Sequence, residues 1–523
     1  MRYIYSLGLI VVFLLFGLNM VGQHKNILIS EKGNPNEPSI CINPKNPAQL
    51  VAGCNINKVF YSSDTGKTWQ YDRLTSQYGV WGDPSITVDT NGNFYFFHLS
   101  NASSWIDRIV CQRSDNGGKD WTVDTYMGYT QGKNQDKQWP VIDPKTNMIY
   151  VTWTQFDHYG STSAKDSSNI LFSRSYNGGL TWSSPLRLNK VAGDCIDSDN
   201  TVEGAVPAVG PNGEVYVCWA GPLGLMFDKS LDQGSSWLQE DKFVTSIPGG
   251  WDFDVPGISR CNGLPVTMCD LSEGEHRGTI YINWSDQRNG VGDTDIWLVK
   301  SEDGGDTWTK PKRVNDDLPG RQQFFTWMSI DQTTGYLYFV FYDRRNYEDN
   351  KTDVFMAVSK DGGETFTNFK ISDTPFTPNK SVFFGDYTNV SVTNGIVRPI
   401  WTRLDQFDMS VWTALINVDS ISASVKKTTI ESNLISDLKN SPNPYSDRTA
   451  ISFKLRKASK VSLFIYDSVG NLVSRYITNE RYDFGKHIIV LDNKKLNLAS
   501  GMYYYSLKID DKITAKKMIV INK

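Results

Sequence analysis

The chain has 523 residues, with 53 Lys or Arg against 57 Asp or Glu, which gives a net charge of −4 at pH 7. This balance excludes a basic footprint for nucleic acid over the whole chain, and the length allows two or three domains. Aromatic residues make up 13% of the chain, with 16 Trp, whereas charged residues make up only 21%. Such a composition excludes a disordered or coiled-coil chain and favours aromatic-rich β structure.

The first 22 residues have the organisation of a secretory signal peptide. Arg2 is followed by an apolar run from Leu7 to Leu18, and a small residue, Gly22, precedes the polar segment. The run is too short to span a membrane, which takes about 20 apolar residues. We therefore predict a signal peptide over residues 1–22, export of the mature chain, and no transmembrane segment in it.

Seven cysteines would accompany the exported chain into an oxidising compartment. Cys261 and Cys269 flank a short loop and are the first disulfide candidates, and Cys41 with Cys54 come second. The chain has no Cys-x-x-Cys pair and no His–Cys cluster, so a zinc site is not expected.

One short pattern, Ser-x-Asp/Asn-x-Gly-x-x-Trp/Phe, occurs six times between residues 62 and 366. In a β-turn, the Asp or Asn side chain accepts hydrogen bonds from nearby backbone N–H groups, and Gly permits a positive φ. The Asp or Asn positions are Asp64, Asn116, Asn177, Asp232, Asp303 and Asp361.

These six copies resemble the Asp-box repeats of sialidase-like β-propellers. The resemblance implies an all-β propeller over residues 23–420, in which the boxes are structural turns between the third and fourth strands of a blade, away from the active face. It gives the box side chains no catalytic role.

A pair of alternating strand patterns recurs in every unit, as in Pro84–Asp89 with Phe94–Phe97. Counting these pairs gives seven units, so seven blades are favoured, with the six blades of sialidases as the alternative. The last unit lacks an evident fourth strand, and Asn26–Ser30 stands alone before the first unit. The N-terminal strand is therefore expected to complete the last blade and to remove the exposed edges.

Loops at the face opposite the boxes carry the residues that a sialidase-like site would use. The resemblance implies an arginine clamp for a substrate carboxylate, a Tyr nucleophile helped by a Glu, and a carboxylic acid for proton transfer. Trp side chains at this face are candidates for stacking on sugars. The candidates are Arg288, Arg321 and Arg345 for the clamp, Tyr387 with Glu203, Asp83 as the acid, and Trp81 and Trp251 for sugar stacking.

The sequence also allows other roles for several of these residues. The arginine signature of sialidases is absent from the matching segment at Glu37, and Arg288 and Arg345 could instead brace blades through neighbouring Asp side chains. His98 and the His158–Tyr159 pair leave polysaccharide lyase chemistry open. No cofactor or metal is expected; the acidic loops 293–295 and 349–353 could hold a structural calcium ion, but Asp-rich turns are the commoner interpretation of such loops.

The last segment differs in charge and composition from the rest. From residue 438 to residue 523 there are 16 Lys or Arg against 7 Asp or Glu and no Trp, which leaves −13 for residues 1–437. After a linker at 421–437, short alternating strands predict a small Ig-like β-sandwich. The Ser441–Tyr445 opening, the Ile465-Tyr466-Asp467 middle and the Ser500–Tyr505 strand resemble the C-terminal sorting domain of the Bacteroidetes type nine secretion system.

Together these features predict a secreted or cell-surface, sialidase-like glycoside hydrolase that acts on an extracellular glycan or polysaccharide. The expected partners are this glycan and the secretion and sorting machinery. The alternatives are a non-catalytic propeller that binds glycans or proteins, and a propeller-type lyase of uronic-acid polysaccharides. An anionic glycan would require a local basic pocket, because the propeller segment as a whole is acidic.

Overall fold

The computed structural model describes residues 24–418, 435–455, 458–468, 470–509 and 512–522. The predicted signal peptide and most of the predicted linker lie outside these residues. The described chain is almost entirely β, as predicted, and forms four-stranded antiparallel sheets followed by a separate pair of sheets.

The strands of the first part follow in chain order. Strand β1 is Asn26–Ser30, and blade 1 contains β2 (Ser39–Ile42), β3 (Leu50–Cys54), β4 (Lys58–Ser62) and β5 (Gln70–Arg73). Blade 2 contains β6 (Ser85–Val88), β7 (Phe94–Leu99), β8 (Ile109–Ser114) and β9 (Thr122–Met127). Blade 3 contains β10 (Asn134–Ile142), β11 (Ile149–Phe156), β12 (Ser168–Ser175) and β13 (Leu186–Arg187). Blade 4 contains β14 (Glu203–Val209), β15 (Val215–Gly221), β16 (Gly224–Ser230) and β17 (Lys242–Thr245).

A two-stranded ribbon, β18 (Asp252–Phe253) and β19 (Cys261–Asn262), precedes the next sheet. Blade 5 contains β20 (Val266–Cys269), β21 (Ile280–Asp286), β22 (Asp295–Ser301) and β23 (Lys312–Arg313). Blade 6 contains β24 (Gln323–Asp331), β25 (Tyr336–Asp343), β26 (Asp353–Ser359) and β27 (Thr367–Lys370). Blade 7 contains β28 (Asn389–Thr393), β29 (Ile396–Asp405), β30 (Asp408–Ala414) and the short β31 (Ile416–Asn417).

The blades form a ring around a central channel. The first strand of each blade contacts the first strand of the next, and β28 of blade 7 contacts β2 of blade 1. Strand β1 pairs antiparallel with β30, so the N-terminal strand completes the last blade. Closure of this kind buries edges that would otherwise expose unpaired N–H and C=O groups.

The repeated turns lie at one face of the ring and share one hydrogen-bond pattern. In the fifth copy, Ser301 Oγ donates to Asp303 Oδ1 at 2.7 Å, and Gly305 N donates to Ser301 Oγ at 2.8 Å. Asp303 also accepts from Thr307 N at 2.9 Å. Gly305 has φ +89°, and a Cβ there would lie 2.3 Å from the ring of Phe227 in blade 4. The turn is therefore locked both by local bonds and by the neighbouring blade.

We expect Asp303→Ala to lower the free energy of unfolding of the propeller by about 1 kcal/mol, because several N–H and O–H donors would lose their acceptor. The hydrogen bonds from Thr307 and Ser301 hold the pKa of Asp303 below its usual range, so this stabilisation is lost as the pH falls through that lowered pKa. Urea unfolding at pH 7 measures the change. Asp303→Asn is the control, since Asn116 and Asn177 accept the equivalent backbone bonds; an equal loss in both variants would contradict this account.

The predicted disulfide between Cys261 and Cys269 is not present, because all seven cysteines are free thiols. Cys261 lies in β19 at one end of blade 5, whereas Cys269 is the last residue of the extended β20. The strand thus carries Cys269 towards the opposite face, and the two side chains pack in different core clusters. A disulfide needs Cα atoms within about 7 Å, which an intervening extended strand prevents.

The C-terminal part forms a small two-sheet β-sandwich. Its strands are β32 (Ile435–Ser441), β33 (Arg448–Leu455), β34 (Ser459–Tyr466), β35 (Leu472–Tyr482), β36 (Gly485–Asp492), β37 (Gly501–Ile509) and β38 (Lys512–Val520), with one helix, α1 (Asn493–Leu496). Strands β32, β33 and β36 form one sheet, and β35, β34, β37 and β38 form the other. Ile451, Leu463, Tyr505 and Leu507 are among the side chains buried between them.

Candidate functional site

The upper face of the propeller is the face opposite the repeated turns. Each turn follows a third strand, and alternate strands of an antiparallel sheet run in the same direction. The first strands therefore begin at the upper face. Glu37, Asp83 and Lys137 lie two residues before Ser39, Ser85 and Trp139, at corresponding positions of blades 1, 2 and 3.

These three residues share a left-handed backbone conformation. The φ angles are 50° for Glu37, 51° for Asp83 and 51° for Lys137. Such a conformation costs a non-glycine residue about 1–2 kcal/mol, so it persists only where the surroundings impose it. It lets the three side chains from separate blades meet at the mouth of the channel.

Lys137 is the centre of this meeting point. Its Nζ lies 2.6 Å from Asp386 Oδ2, 3.3 Å from Asp83 Oδ2 and 3.8 Å from Glu37 Oε1. Burial would lower the pKa of Lys137, but Asp386, Asp83 and Glu37 outweigh burial and raise the pKa well above its usual value. We call Glu37, Asp83, Asp136 and Asp386, the acidic groups around Lys137, the carboxyl cluster.

Arg260, in the loop of the β18–β19 ribbon, supplies the second cation. Its Nε donates to Asp386 Oδ1 at 3.0 Å, and Nη2 donates to Asp386 Oδ2. Its Nη1 lies 2.8 Å from Asp197 Oδ2, which also accepts from the hydroxyl of Tyr159. Although burial opposes it, Lys137 and Arg260 hold the pKa of Asp386 well below its usual range. Asp386 therefore anchors both cations.

Two members of the carboxyl cluster have a pKa well above the usual value of a carboxyl group. Burial and the charge of Asp83 raise the pKa of Glu37, and burial raises that of Asp136 despite Lys137. Both carboxyl groups lie within hydrogen-bonding reach of Asp83. Two carboxyl groups can share a hydrogen bond only when one of them carries the proton. Asp83 thus lies beside two carboxyl groups of raised pKa.

A cavity of about 230 Å³ opens onto this cluster. Glu37, Asp83, Asp136, Lys137 and Arg260 form its polar wall. Its remaining lining side chains are Asn55, Trp81, Leu99, Trp105, Ile106 and Phe383. The three aromatic rings stay partly open to solvent, with 39% of Trp81, 39% of Trp105 and 43% of Phe383 exposed.

The three residues to which the sequence assigned catalysis lie together in this region, but in different surroundings. Asp83 lines the cavity. Burial and Asp197 raise the pKa of Glu203, whose Oε1 has no hydrogen-bond partner. Tyr387 packs edge-on against Trp139 at 5.1 Å, and its buried hydroxyl likewise has no partner. Burial and Asp83 raise the pKa of Tyr387, which opposes formation of a nucleophilic tyrosinate.

The arginines predicted as a clamp each have another partner. Arg288 Nη2 lies 2.5 Å from Asp286 Oδ2, and Arg345 Nη2 lies 2.8 Å from Asp343 Oδ2. Arg321 contacts only an exposed carboxylate, at 3.9 Å. None of the three is among the residues that line the 230 Å³ cavity. Arg288 and Arg345 therefore pair with neighbouring Asp side chains, as in the alternative to a clamp given above.

The two tryptophans predicted to stack on sugars differ in exposure. Trp81 lies at the cavity, as described above. Trp251 is only 3% exposed, and its Nε1 donates to the backbone oxygen of Thr201 at 3.1 Å. Trp251 is thus a packing residue of the neighbouring core cluster, and the prediction of a stacking role for it is corrected.

The histidine and tyrosine residues that suggested lyase chemistry do not form a pair. His98 is fully buried, and burial lowers its pKa to about 4. His158 Nδ1 lies 3.3 Å from Asp166, whereas the adjacent Tyr159 donates to Asp197. No His–Tyr acid–base pair faces the cavity within residues 24–418.

Lys137, Arg260, Glu37 and Asp136 were not singled out as site residues from the sequence. A usable signal existed for part of this set: Glu37-Pro38-Ser39-Ile40 and Asp83-Pro84-Ser85-Ile86 are copies of one another at the start of consecutive blades. Arg260 carries no such signal, because it lies in a ribbon outside the repeated units.

The acidic loops considered for calcium use their carboxylates within the protein. Asp295 accepts from Asn289 at 2.6 Å and from Asn315 at 2.6 Å, and Asp353 accepts from Tyr347 at 2.8 Å. Across the described ranges, no group of three or more His, Cys, Asp or Glu side chains is arranged to hold a metal ion.

The propeller is similar in fold to several solved structures, at low identity. A Trypanosoma rangeli sialidase in complex with the inhibitor DANA is 12% identical, covers 95% of this chain and 89% of its own, and has a TM-score of 0.42. An ulvan lyase is 12% identical, with coverages of 75% and 96% and a TM-score of 0.46. An α-L-arabinofuranosidase from Fusarium graminearum is 10% identical, with coverages of 77% and 100% and a TM-score of 0.42. No curated protein matches the chain.

The C-terminal sandwich has a direct match among protein families. Residues 441–522 match the family described as secretion system C-terminal sorting domain. No helix among the described residues is long and apolar enough to cross a membrane. Residues 441–522 are therefore a C-terminal sorting domain, and the protein is one that the type nine secretion system exports to the cell surface or the extracellular space.

Proposed function

We propose that the protein is an extracellular glycoside hydrolase whose active site is the carboxyl cluster. One observation supports this above all: Asp83 lies between two carboxyl groups of raised pKa, Glu37 and Asp136, in the wall of a cavity with an aromatic rim. Hydrolysis of a glycosidic bond needs a carboxylic acid that still holds its proton near neutral pH, and burial beside a second carboxylate supplies one.

The proposed reaction uses the proton of Asp136, which lines the cavity. Asp136 donates this proton to the glycosidic oxygen as the bond to the anomeric carbon breaks, and water then adds to that carbon. The proton that water releases returns to the cluster, where Asp83 passes it between its neighbours. The negative charge of the cluster also stabilises the positive charge that develops on the sugar ring.

The sugar bound in the cavity is proposed to be uncharged. Both cations of the site are already neutralised, Lys137 by Asp386 and Arg260 by Asp386 and Asp197. A sialic acid or uronate carboxylate placed here would meet the three carboxyl groups that line the cavity, without a free guanidinium to bind it. The proposal is accordingly a glycosidase for neutral sugar units rather than a sialidase in the strict sense.

The rim of the cavity supports a glycan as the ligand. Trp81, Trp105 and Phe383 present partly exposed ring faces around a polar floor. A ring face binds the apolar face of a sugar, while the polar groups below it orient the hydroxyls. Export of the protein places this cavity where extracellular glycans occur.

The experiment is a measurement of reducing-end release by the purified full chain from neutral and anionic polysaccharides. We expect release from at least one substrate, and a fall of about 10²-fold or more in kcat/KM for Asp136→Asn, because the proton donor is lost. Glu348→Gln is the matched control: Glu348 is a 93% exposed carboxylate in the loop after β25, outside the lining of the cavity, and its loss should leave the rate unchanged.

The same assay separates the hydrolase from a non-catalytic propeller. Binding of a polysaccharide without any release of reducing ends, in the parent chain and in Asp136→Asn alike, would refute the hydrolase. Equal rates for Asp136→Asn and the parent would leave the enzyme class standing and exclude the carboxyl cluster as its site.

A further inference from the structure

A second, larger depression adjoins the cavity. Its volume is about 750 Å³, and it shares Asn55, Trp81 and Phe383 with the cavity at the carboxyl cluster. We call this depression the blade 1 groove, because half of its lining residues lie between Asn55 and Arg73. Because the two spaces share these three residues, they adjoin, and a chain-like ligand that spans them would contact both.

The blade 1 groove has the opposite charge to the cavity beside it. Lys32, Lys58 and Arg73 line it, and none of the residues that line it is acidic. Residues 1–437 together carry −13, so three clustered cations without carboxylates stand out against the surrounding charge. Charges on a protein surface act over about 8 Å at physiological salt, and a local basic groove therefore decides what binds there.

The arrangement of two of these cations is unfavourable without a ligand. Lys58 and Arg73 are direct partners in the register between β4 and β5. Like charges directly opposite each other across two antiparallel strands destabilise the pair. Lys58 Nζ donates only to the backbone oxygen of Asn55, at 2.7 Å, and no ion pair within residues 24–418 includes either side chain. Burial and the charge of Arg73 lower the pKa of Lys58, which agrees with an uncompensated cation.

The third cation approaches from another element. Lys32 and Gly33 follow β1, the strand that closes the ring, and a Cβ placed on Gly33 would lie 3.5 Å from Lys58 Cε. The loop after β1 thus closes over the Lys58 side chain, and ring closure brings Lys32 to the groove. Tyr71, at 43% exposure, adds an open aromatic face beside the cations.

We infer that the blade 1 groove binds an anionic substituent, a sulfate ester or a carboxylate, on the glycan chain next to the neutral sugar held at the carboxyl cluster. This inference rests on the proposed function for the position of that sugar. Three cations in an open, aromatic-lined groove suit a flexible, charged polysaccharide segment, whereas the acidic cavity excludes such a group from the cleavage position. The structure assigns charge selection and bond cleavage to two adjoining sites.

The test measures binding, not turnover. The probes are a chondroitin hexasaccharide with a 4-sulfate on one GalNAc only, which carries sulfate and carboxylate and keeps neutral GalNAc units, the unsulfated chondroitin hexasaccharide, which carries carboxylate alone, and neutral xylohexaose. The variant is Lys32→Gln, Lys58→Gln and Arg73→Gln together in the full chain. The control is Lys67→Gln, Lys119→Gln and Lys310→Gln, which removes three exposed lysines at or beside the repeated turns. The sorting domain is the same in all three proteins.

We expect the groove variant to raise Kd for a charged hexasaccharide by about tenfold or more, and to leave xylohexaose unchanged. A response to the sulfated probe alone identifies a sulfate, and a response to both charged probes identifies the carboxylate. Unchanged Kd values, or an equal loss in the control, would overturn the inference. Loss of binding in the groove variant, together with no hydrolysis by the parent, would refute only the hydrolase.

Discussion

Replacing Lys137 by Met is expected to lower the free energy of unfolding of the propeller by about 3–5 kcal/mol at pH 7.5. The reason is the concentration of carboxyl groups around one buried cation. Asp386 lies 2.6 Å and Asp83 3.3 Å from Nζ, and without Lys137 their negative charge would be opposed only by Arg260. Urea unfolding followed by Trp fluorescence measures the effect.

The loss should depend on pH in a defined direction. Lys137 lowers the pKa of Asp386 in the folded state, so its stabilisation is present above the unfolded pKa of about 3.9 and is lost as the pH falls through the folded pKa. The difference between the variant and the parent should therefore persist down to about pH 4 and shrink only at lower pH. The control is Lys351→Met, which removes an exposed ion pair with Asp349 and should leave stability nearly unchanged. Equal stability of Lys137→Met and the parent at pH 7.5 would show that the cluster does not need this cation.

Replacing Asp83 by Asn is expected to change activity and stability in opposite directions. Activity should fall by about 10²–10⁴-fold, because the group that links the two proton donors is lost. Stability at pH 8 should rise, because the charge of Asp83 contributes to the raised pKa of Glu37 and of Asp136. Asn fits the φ of 51° at this position, since Asn tolerates the left-handed region.

The sign of this stability change follows from proton binding. Glu37 and Asp136 have raised pKa values in the folded state. At a pH between the unfolded and the folded pKa of either group, the folded protein therefore binds more protons than the unfolded chain. Stability of the parent therefore falls as the pH rises above about 4, and Asp83→Asn should flatten that fall. Thermal unfolding from pH 5 to pH 8.5 measures it, with Glu348→Gln as the control. A variant that is less stable than the parent at every pH would contradict the proposed proton sharing.

The activity and the stability of Asp83→Asn together distinguish a catalytic role of this carboxyl group from a structural one. A carboxyl group kept for catalysis in a crowded, buried cluster is expected to reduce stability, and its removal to restore it. A carboxyl group kept for structure would behave in the opposite way. Asp83 and Asp303 offer this comparison within one propeller, since Asp303 accepts local hydrogen bonds and has a lowered pKa.

The repeated turns could be predicted because all their determinants lie within eight residues. In the fifth copy, the hydrogen bonds join Ser301, Asp303 and Gly305, and Trp308 packs on the adjacent blade. One short window of sequence therefore contains every residue that forms the turn. The same holds for the sorting domain, whose opening and strand motifs are contiguous in the chain. Asp83 and Trp81 were also found from the sequence, because they begin a recognisable unit.

The arginine that lines the cavity could not be identified from the sequence. Arg288 and Arg345 follow second strands in related loops and were therefore natural candidates for a clamp. In the structure they pair with Asp286 and Asp343, two residues earlier in the chain. Arg260, in an irregular ribbon, is the guanidinium that reaches the cavity. Nothing in a local window distinguishes an arginine with a nearby partner from one that crosses the channel.

The sequence by itself determined the all-β repeat architecture, the turn chemistry and the sorting domain, because alternation and turn hydrogen bonds are encoded over a few residues. Only the tertiary structure decided which charges meet. Lys137 and Asp386 are 249 residues apart, and closure of the ring through β1 and β28 brings blade 7 beside blade 1. Burial at the upper face raises the pKa of Glu37 and Asp136, and the loop after β1 completes the basic groove beside them. Both depend on long-range proximity and desolvation, which no local pattern carries.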